Sequence, residues 1–262
     1  MSRQPKQPSK RDQRGNRHAQ LPSDDLMSVR PRQQRAKKPI EAKTDGQASY
    51  INAIDIYDLI FCRGPMGTGK TYIAAGKAAD ALAKGEIQKI IVTRPAVEAE
   101  EELGILPGEM MEKWAPYFAP VRVILEERLG AGNVEMFLKN GKIEIAPIGH
   151  LRGHTFKDCW VLFDEAQNTT PKQMKLVLTR IGENCKMIVD GDPDEQMDIT
   201  GKSGFDDAWD KMFGHHQCGF VKFTEDDIVR SGLARDVLLR YRQKGTPVGQ
   251  AQLNNFLGVR PD

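Results

Sequence analysis

Short apolar runs alternate with longer amphipathic segments through most of this chain, from about residue 59 onward. The apolar runs predict six strands, which are Leu59–Arg63, Lys89–Thr93, Lys142–Ala146, Trp160–Phe163, Cys185–Val189 and Phe220–Phe223. The segments between them predict helices at Thr71–Lys84, Gly108–Lys113, Tyr117–Arg128, Val134–Lys139, Pro171–Arg180, Ser203–Phe213 and Leu233–Gln243. This order predicts an α/β domain in which a mainly parallel sheet is sandwiched by helices.

The first forty residues break this pattern. Met1–Lys38 contains eleven Lys/Arg and three Asp/Glu, so it carries +8, whereas the whole chain of 262 residues carries only +2. Because the segment is also rich in proline and poor in apolar side chains, we predict a basic disordered tail over residues 1–42. Such an arm can bind nucleic acid or simply keep a protein in solution, and the sequence favours neither. We predict the folded domain over residues 43–245 and a flexible C-terminal tail over 246–262.

Composition argues against a membrane or an oxidising compartment. No apolar segment like that of a signal peptide follows Met1, and no run of about eighteen apolar residues is present. The four cysteines (Cys62, Cys159, Cys185 and Cys218) are widely separated and lie in or beside apolar stretches, as core residues do in a reducing compartment. We therefore expect a cytoplasmic protein with no membrane partner.

A phosphate-binding loop is the most specific local motif. The pattern Gly-x4-Gly-Lys-Thr occurs in Gly64, Pro65, Met66, Gly67, Thr68, Gly69, Lys70 and Thr71, between a predicted strand and an Ala-rich helix. Its glycines allow successive N–H groups to point into one nest, and the helix dipole adds to the attraction for phosphate. We predict that this loop and the adjacent Tyr72 bind ATP, with Lys70 on the β- and γ-phosphates and the Thr71 hydroxyl on Mg²⁺.

A second motif follows the fourth predicted strand. Trp160–Phe163 is apolar and is followed by Asp164 and Glu165, the pattern of a Walker B strand. Ligands of open α/β sheets bind beyond the carboxyl ends of the strands, so Asp164 is predicted to lie opposite Thr71 and hold Mg²⁺. Glu165 is predicted to orient and polarise the attacking water.

Two glutamines are further candidates. Gln196 follows an apolar strand that ends in Gly191 and Asp192, the place where helicase motors sense the γ-phosphate, although this segment also suits an ordinary turn. Gln47 lies seventeen residues before Gly64, and its amide can both donate to and accept from adenine. The plain alternative for Gln47 is a surface position.

Together with these motifs, several blocks resemble the PhoH-like ATPases, a phosphate-starvation-inducible family that is also common in phages. The blocks are Thr93–Glu98, Leu103–Gly108, Ile143–Pro147, Asp164–Pro171 and Leu178–Arg180, and the match runs from about Lys43 to Arg242. The resemblance implies a RecA-like P-loop NTPase related to helicase motors, which hydrolyses ATP with Mg²⁺. It also implies a homo-oligomeric ring, expected to be a hexamer, that acts on RNA or single-stranded nucleic acid, in the host cytoplasm if this is a phage protein.

The resemblance assigns Lys70 and Thr71 to phosphate and Mg²⁺, Asp164 to Mg²⁺ and Glu165 to catalysis. The chain departs from the family pattern at His154, where arginine is usual, and by one extra residue between Asp192 and Gln196.

The arginine that stabilises the transition state is expected from a neighbouring copy, because no second RecA domain is recognisable. The candidates are Arg94, Arg152, Arg180 and Arg230. Arg230 is favoured because the family has an Asp-x-Val-Arg block there. Arg94 also occupies the position that contacts the single strand in helicase-like motors, and each arginine has a plain interpretation as a surface ion pair.

Two other functions compete with an ATP-driven motor. The chain could be a nucleotide-dependent switch or scaffold that binds a protein partner, with slow hydrolysis and no nucleic-acid role. A small-molecule kinase is disfavoured, since Glu165 beside Asp164 suits the activation of water better than that of a substrate hydroxyl.

Overall fold

A six-stranded parallel sheet forms the centre of the computed structural model, which describes residues 37–95, 110–195 and 199–242. The strands are β1 (Leu59–Arg63), β2 (Lys89–Thr93), β3 (Ile143–Ile145), β4 (Cys159–Phe163), β5 (Cys185–Gly191) and β6 (Cys218–Lys222). Their order across the sheet is β3-β2-β4-β5-β1-β6, and every neighbouring pair is parallel. All six predicted strands and the α/β class with a mainly parallel sheet are confirmed.

Helices cover both faces of this sheet. They are α1 (Asp45–Ile56), α2 (Lys70–Lys84), α3 (Met110–Leu129), α4 (Ala131–Lys139), α5 (Pro171–Leu178), α6 (Gly204–Met212) and α7 (Gly232–Arg242). Short 3-10 turns lie at Ile148–Leu151, Ala166–Asn168, Pro193–Glu195 and Glu225–Asp227. The turn Ala166–Asn168 directly follows Asp164, the predicted Mg²⁺ ligand, and Glu165, the predicted catalytic carboxylate, so it belongs to the candidate site.

The side chains of each strand alternate between two apolar layers. In β1, Ile60 and Cys62 enter the layer formed with α1, α2, α3 and α4, whereas Leu59 and Phe61 enter the layer formed with α5 and α6. The buried alanines of α2 leave little bulk between this helix and the sheet. The close packing of α2 places its N-terminus directly at the carboxyl end of β1.

The prediction of two separate helices at Gly108–Lys113 and Tyr117–Arg128 was wrong over the described part of this stretch. One helix, α3, runs through Pro116 and Pro120 without a break. Each proline removes one backbone hydrogen bond. Burial of Phe118, Val121 and Leu125 against the layer containing α2 offsets that loss.

Helix α1 was missed by the sequence analysis. Thr44 caps it by accepting a hydrogen bond from the Gln47 N–H at 3.2 Å, and Gln47, Tyr50, Ala53 and Ile54 face inward. A capping residue followed by side chains at helical spacing was the sequence pattern that could have predicted this helix. The preceding residues, assigned above to the tail, also contact the domain, because Ile40 fills the space beside Gly76 and Arg128 Nη1 donates to the Lys38 carbonyl at 2.9 Å.

The four cysteines are buried free thiols. Over the ranges that the structure describes, none of the helices has both the length and the apolar character needed to cross a membrane.

Two glycines provide a matched test of this packing. The Gly204 N–H donates to the Thr169 carbonyl at 2.6 Å, and a Cβ at Gly204 would lie 2.5 Å from the Thr170 carbonyl oxygen. We expect Gly204→Ala to lower the free energy of unfolding by at least about 1 kcal/mol. Gly132→Ala, in open space on α4, should raise it by about 0.5 kcal/mol. Urea unfolding measures both, and equal stability of the two variants would contradict the close backbone contact at Gly204.

Candidate functional site

The loop from Gly64 to Thr71 joins β1 to α2 at the carboxyl edge of the sheet. Gly67 and Gly69 have φ angles of 82° and 88°, which residues other than glycine rarely adopt. The Thr68 hydroxyl is buried and donates to the Pro65 carbonyl at 2.9 Å, which closes the loop on itself. The Gly64 N–H donates to the Gly191 carbonyl at 3.1 Å and thereby ties the loop to the end of β5.

Lys70 is the first residue of α2, and its ammonium group bends back over this loop. Nζ donates to the carbonyls of Gly64 and Pro65 at 2.6 and 2.9 Å. The Lys70 ammonium group is therefore held against the loop whose backbone amides form the predicted nest. This is the arrangement that a terminal phosphate requires.

Thr71 and Asp164 are 93 positions apart in the chain and adjacent in space. Thr71 Oγ1 donates to Asp164 Oδ1 at 3.1 Å. The Asp164 carboxylate is 9% exposed, and its pKa is raised by burial and by the neighbouring Glu165 charge. Two oxygen donors side by side are what Mg²⁺ takes from a protein when substrate phosphates and water complete its shell. Among the residues described, no cluster of three His, Cys, Asp or Glu side chains could form a complete metal cage.

Glu165 lies beside Asp164 in an uncommon backbone conformation. Its φ of 53° and ψ of 36° are in the left-handed region, which is strained for a residue with a side chain. Oε1 forms an ion pair with Arg94 Nη2 at 3.0 Å, and Oε2 accepts a hydrogen bond from Gln167 Nε2 at 2.6 Å. Both oxygens of the predicted catalytic carboxylate therefore have protein partners.

Gln167 is a site residue to which the sequence analysis gave no role. It is 1% exposed, and its Oε1 accepts from the Asp192 N–H at 3.1 Å while its Nε2 holds Glu165. Its backbone carbonyl accepts from Ser203 Oγ at 2.8 Å. Gln167 thus links the end of β4 to the end of β5. Its position within the family-like block Asp164–Pro171 was the sequence feature that could have indicated a role in the site.

These groups share one cavity of about 500 Å³, a volume usual for a small-molecule ligand. Gly67, Lys70, Thr71, Asp164 and Glu165 line it, as do Met66 and Tyr72 beside the loop residues. Distant parts of the chain contribute the rest of the lining, including Ile40, Lys43, Pro120, Ile124, Val229 and Arg230. An apolar wall beside a phosphate-binding loop suits the base and ribose of a nucleotide.

Gln47 also lines this cavity, but its amide bonds are made to the protein backbone. Oε1 accepts from the Lys43 N–H at 2.7 Å, and Nε2 donates to the Thr68 carbonyl at 2.9 Å. At 4% exposure it is not a surface residue. It braces the phosphate-binding loop, and recognition of adenine by Gln47 stays a prediction. Gln196 lies outside the described residues.

Arg230 lies on the phosphate-binding loop of its own chain. The Val229 N–H donates to the Gly67 carbonyl at 3.0 Å, and a Cβ at Gly67 would lie 2.8 Å from Arg230 Cγ. The sequence analysis expected this arginine from a neighbouring copy. That expectation stays a prediction. Within one chain, the segment after β6 folds back over the loop and brings Arg230 beside Gly67.

Asp227 fixes that segment. Its carboxylate accepts from the N–H groups of Gly46 and Thr224 at 3.1 and 2.9 Å. Burial alone would raise the pKa of Asp227, but hydrogen bonds from Thr44, Thr224 and Gly46 lower it on balance. The turn before Arg230 is therefore anchored to the start of α1.

The other candidate arginines lie apart from the cavity. Arg152 is exposed after the 3-10 turn Ile148–Leu151. Arg180 lies two residues beyond α5, and its Nε donates to the Leu176 carbonyl of that helix at 3.2 Å. Arg94 does not line the cavity, and among the described residues it reaches the site through its ion pair with Glu165. Of the four, Arg230 alone lines the cavity.

A buried acid beneath the loop was not identified from the sequence. Asp190 on β5 pairs in register with Cys62 on β1, and Tyr50 Oη donates to its Oδ1 at 2.5 Å. Burial, assisted by the charge of Asp164, raises the pKa of Asp190 to about 7. An apolar strand that ends in aspartate could have indicated it.

Comparison with known proteins gives the same family signal over the whole domain. A family model described as PhoH-like protein matches residues 39–242. Protein PhoH of Escherichia coli (strain K12) is 45% identical over 214 residues, which are 80% of this chain and 60% of that protein. The PhoH-like protein of Bacillus subtilis (strain 168) is 46% identical over 206 residues, which are 78% of this chain and 64% of that protein. The chain thus spans about three fifths of the length of these relatives.

Among solved structures, the large terminase of a thermophilic bacteriophage in complex with ADP aligns with a TM-score of 0.45 at 12% identity. The alignment covers 78% of this chain and 50% of that one.

Asp190 makes the stability of the fold depend on pH. Because its pKa rises from 3.8 to about 7 on folding, the folded state holds this proton more tightly than the unfolded chain. The charged form therefore destabilises the fold above pH 7, and this effect fades as the pH falls toward 4. We expect Asp190→Asn, which keeps an acceptor for Tyr50, to raise the free energy of unfolding at pH 8 by on the order of 1–3 kcal/mol.

The gain should shrink steadily from pH 8 to pH 5 in urea unfolding measured at several pH values. Asp226→Asn removes the same charge from an exposed position and serves as the control. A wild-type pH dependence that persists in Asp190→Asn would assign it to another group.

Proposed function

The chain belongs to the PhoH-like protein family, and on that premise we propose that it is a Mg²⁺-dependent ATPase. The observation that carries the proposal is the meeting of Thr71 Oγ1 and Asp164 Oδ1 at 3.1 Å in the cavity that Lys70 and Glu165 also line. Phosphate-binding loop, metal ligands and a carboxylate for water are thereby within one site.

The loop residues bind and orient the triphosphate. Backbone N–H groups around Gly67 and Gly69 surround the phosphate oxygens, and the N-terminus of α2 adds its dipole. Lys70, now on the carbonyls of Gly64 and Pro65, would move to the terminal phosphates, which attract its charge more strongly. Thr71 and Asp164 would hold Mg²⁺, which when bound supplies positive charge to the phosphate oxygens.

Glu165 provides the acceptor that orients the attacking water. Hydrolysis transfers the γ-phosphoryl group of ATP to this water. The bond between the γ-phosphorus and the β–γ bridging oxygen breaks as the bond to the water oxygen forms, and ADP leaves. Negative charge spreads over the equatorial oxygens, and Arg230 lies over the loop where it can meet that charge. The apolar wall around Ile40, Tyr72 and Ile124 encloses the rest of the nucleotide.

We further propose that hydrolysis drives work on RNA or another single-stranded nucleic acid, in a homo-oligomeric ring that is expected to be a hexamer. The basic segment Met1–Lys38 supports the choice of a polyanionic partner. The position of Arg94 directly after β2 supports it as well.

A nucleotide-dependent switch that binds a protein partner is the second candidate. It is favoured by the engagement of both Glu165 oxygens, because a restrained carboxylate suits slow basal hydrolysis. ATP turnover measured with and without single-stranded RNA, at two salt concentrations, distinguishes the switch from the nucleic-acid motor. Salt-sensitive stimulation supports the nucleic-acid motor, and unchanged turnover supports the switch.

Lys70→Ala should abolish turnover. Removal of one preorganised charge from the phosphates is expected to lower kcat by roughly 100-fold or more. Phosphate release with Mg·ATP is the measurement. The control is Lys84→Ala, an exposed lysine at the other end of the same helix. Wild-type turnover by Lys70→Ala would refute the assignment of the site.

Arg230→Ala tests whether the arginine acts in cis. We expect kcat to fall by about a thousandfold while binding of a fluorescent nucleotide is kept. Mixing Arg230→Ala with Glu165→Gln subunits should restore nothing, because each site takes both residues from one chain. Recovery in the mixture, with mass photometry showing mixed assemblies, would mean that Arg230 is supplied by a neighbour.

A further inference from the structure

The two groups that hold Glu165 differ in how firmly they are themselves held. Gln167 is buried and has a second bond from the Asp192 N–H. The Arg94 side chain is 27% exposed, and its other hydrogen bond within the described part of the chain, from Nη1 to the Tyr117 carbonyl, is long at 3.5 Å. A partly exposed ion pair is weak. Arg94 is therefore the exchangeable partner, and Gln167 is the fixed one.

Arg94 reaches Glu165 from outside the nucleotide cavity. Glu165 lines that cavity, whereas Arg94 does not. The two residues follow neighbouring strands, because Thr93 on β2 pairs in register with Phe163 on β4 and its carbonyl accepts from the Asp164 N–H at 3.1 Å. A change at Arg94 is thus one contact away from the carboxylate that orients water.

The junction between these strands is incompletely satisfied in this arrangement. Thr93 Oγ1 is one of two buried side-chain polar atoms without a hydrogen-bond partner in the described part of the chain. Glu165 is strained in the left-handed region. Unsatisfied hydrogen-bonding groups and backbone strain at a functional site are typical of a segment that can adopt a second conformation.

We propose that Arg94 is a positioning residue that restrains Glu165 and exchanges it for a backbone phosphate of single-stranded nucleic acid. The inference rests on the proposed ATPase function. A guanidinium binds carboxylate and phosphate with the same two-pronged geometry, so one anion can replace the other without leaving Arg94 unpaired. Glu165, still held by Gln167 at Oε2, then has Oε1 available for the attacking water.

This exchange couples strand binding to hydrolysis in a single step. Without a strand, the guanidinium occupies Oε1 and neutralises the charge that would draw a proton from water. With a strand, the restraint is removed while the carboxylate keeps its orientation. The chain then hydrolyses ATP slowly when free and faster when bound.

Arg94→Ala is the test, measured as steady-state Mg·ATP hydrolysis with and without a single-stranded RNA oligonucleotide at low salt. We expect basal kcat to rise about fivefold, the change that loss of one partly exposed ion pair produces. KM for ATP should stay unchanged, and the oligonucleotide should no longer stimulate. Arg94→Lys keeps the positive charge but loses the two-pronged guanidinium geometry. Its basal kcat and its stimulation by the oligonucleotide should therefore lie between those of wild type and Arg94→Ala.

Arg122→Ala is the matched control. Arg122 is also a partly exposed arginine in ion pairs, with Glu126 and Glu135, and it lies on α3 away from the site. Its basal rate and stimulation should equal those of wild type. Far-UV circular dichroism establishes that each variant is folded.

Each other result overturns the inference in a distinct way. A fall in basal kcat of Arg94→Ala would make Arg94 a direct catalytic group, and a raised KM would place it on the nucleotide phosphates. If RNA still stimulates ATP hydrolysis by Arg94→Ala, or does not stimulate the wild type, Arg94 is not the strand sensor. The ATPase proposal is unaffected by that result. If wild type shows no hydrolysis that depends on Lys70, the ATPase proposal itself fails, and this inference fails with it.

Discussion

The site depends on one constraint, which is that β1, β4 and β5 are parallel neighbours whose carboxyl ends meet at the same edge. That edge brings the phosphate-binding loop after β1, the carboxylates after β4 and Gly191 at the end of β5 within hydrogen-bond distance. Two bonds make the constraint specific: Gly64 N–H to the Gly191 carbonyl, and the Thr71 hydroxyl to Asp164. Without this strand order, each motif would be a local turn with no partner.

Several energetically unfavourable features lie at that edge. Asp164 and Asp190 are buried acids whose pKa values are raised by burial, and Glu165 is strained. The Thr93 hydroxyl lacks a hydrogen-bond partner among the residues that the structure describes. Two apolar layers, one on each face of the sheet, supply the stability that tolerates them. Such a distribution is expected where charge must be held ready for a ligand and not for the fold itself.

Two arginines divide the control of this charge between them. Arg230 lies on the loop inside the cavity, where it can stabilise the transferred phosphoryl group. Arg94 does not line the cavity and forms an ion pair with Glu165, the carboxylate proposed to orient water. In the proposed function, chemistry and its regulation therefore rest on different side chains.

The sequence by itself determined the strands, the phosphate-binding loop and the two carboxylates. Each of these is written in consecutive residues, because an apolar run specifies a buried strand and the backbone of Gly64–Thr71 forms its own nest. Only the tertiary structure decided which side chains those groups meet. In the tertiary structure one helix continues through Pro116, and Arg230 lies against the phosphate-binding loop of its own chain. Gln47 donates a hydrogen bond to Thr68, and Gln167 and Arg94 both contact Glu165. These partners are far apart in the chain, and strand order, which no local pattern encodes, determines which of them come together.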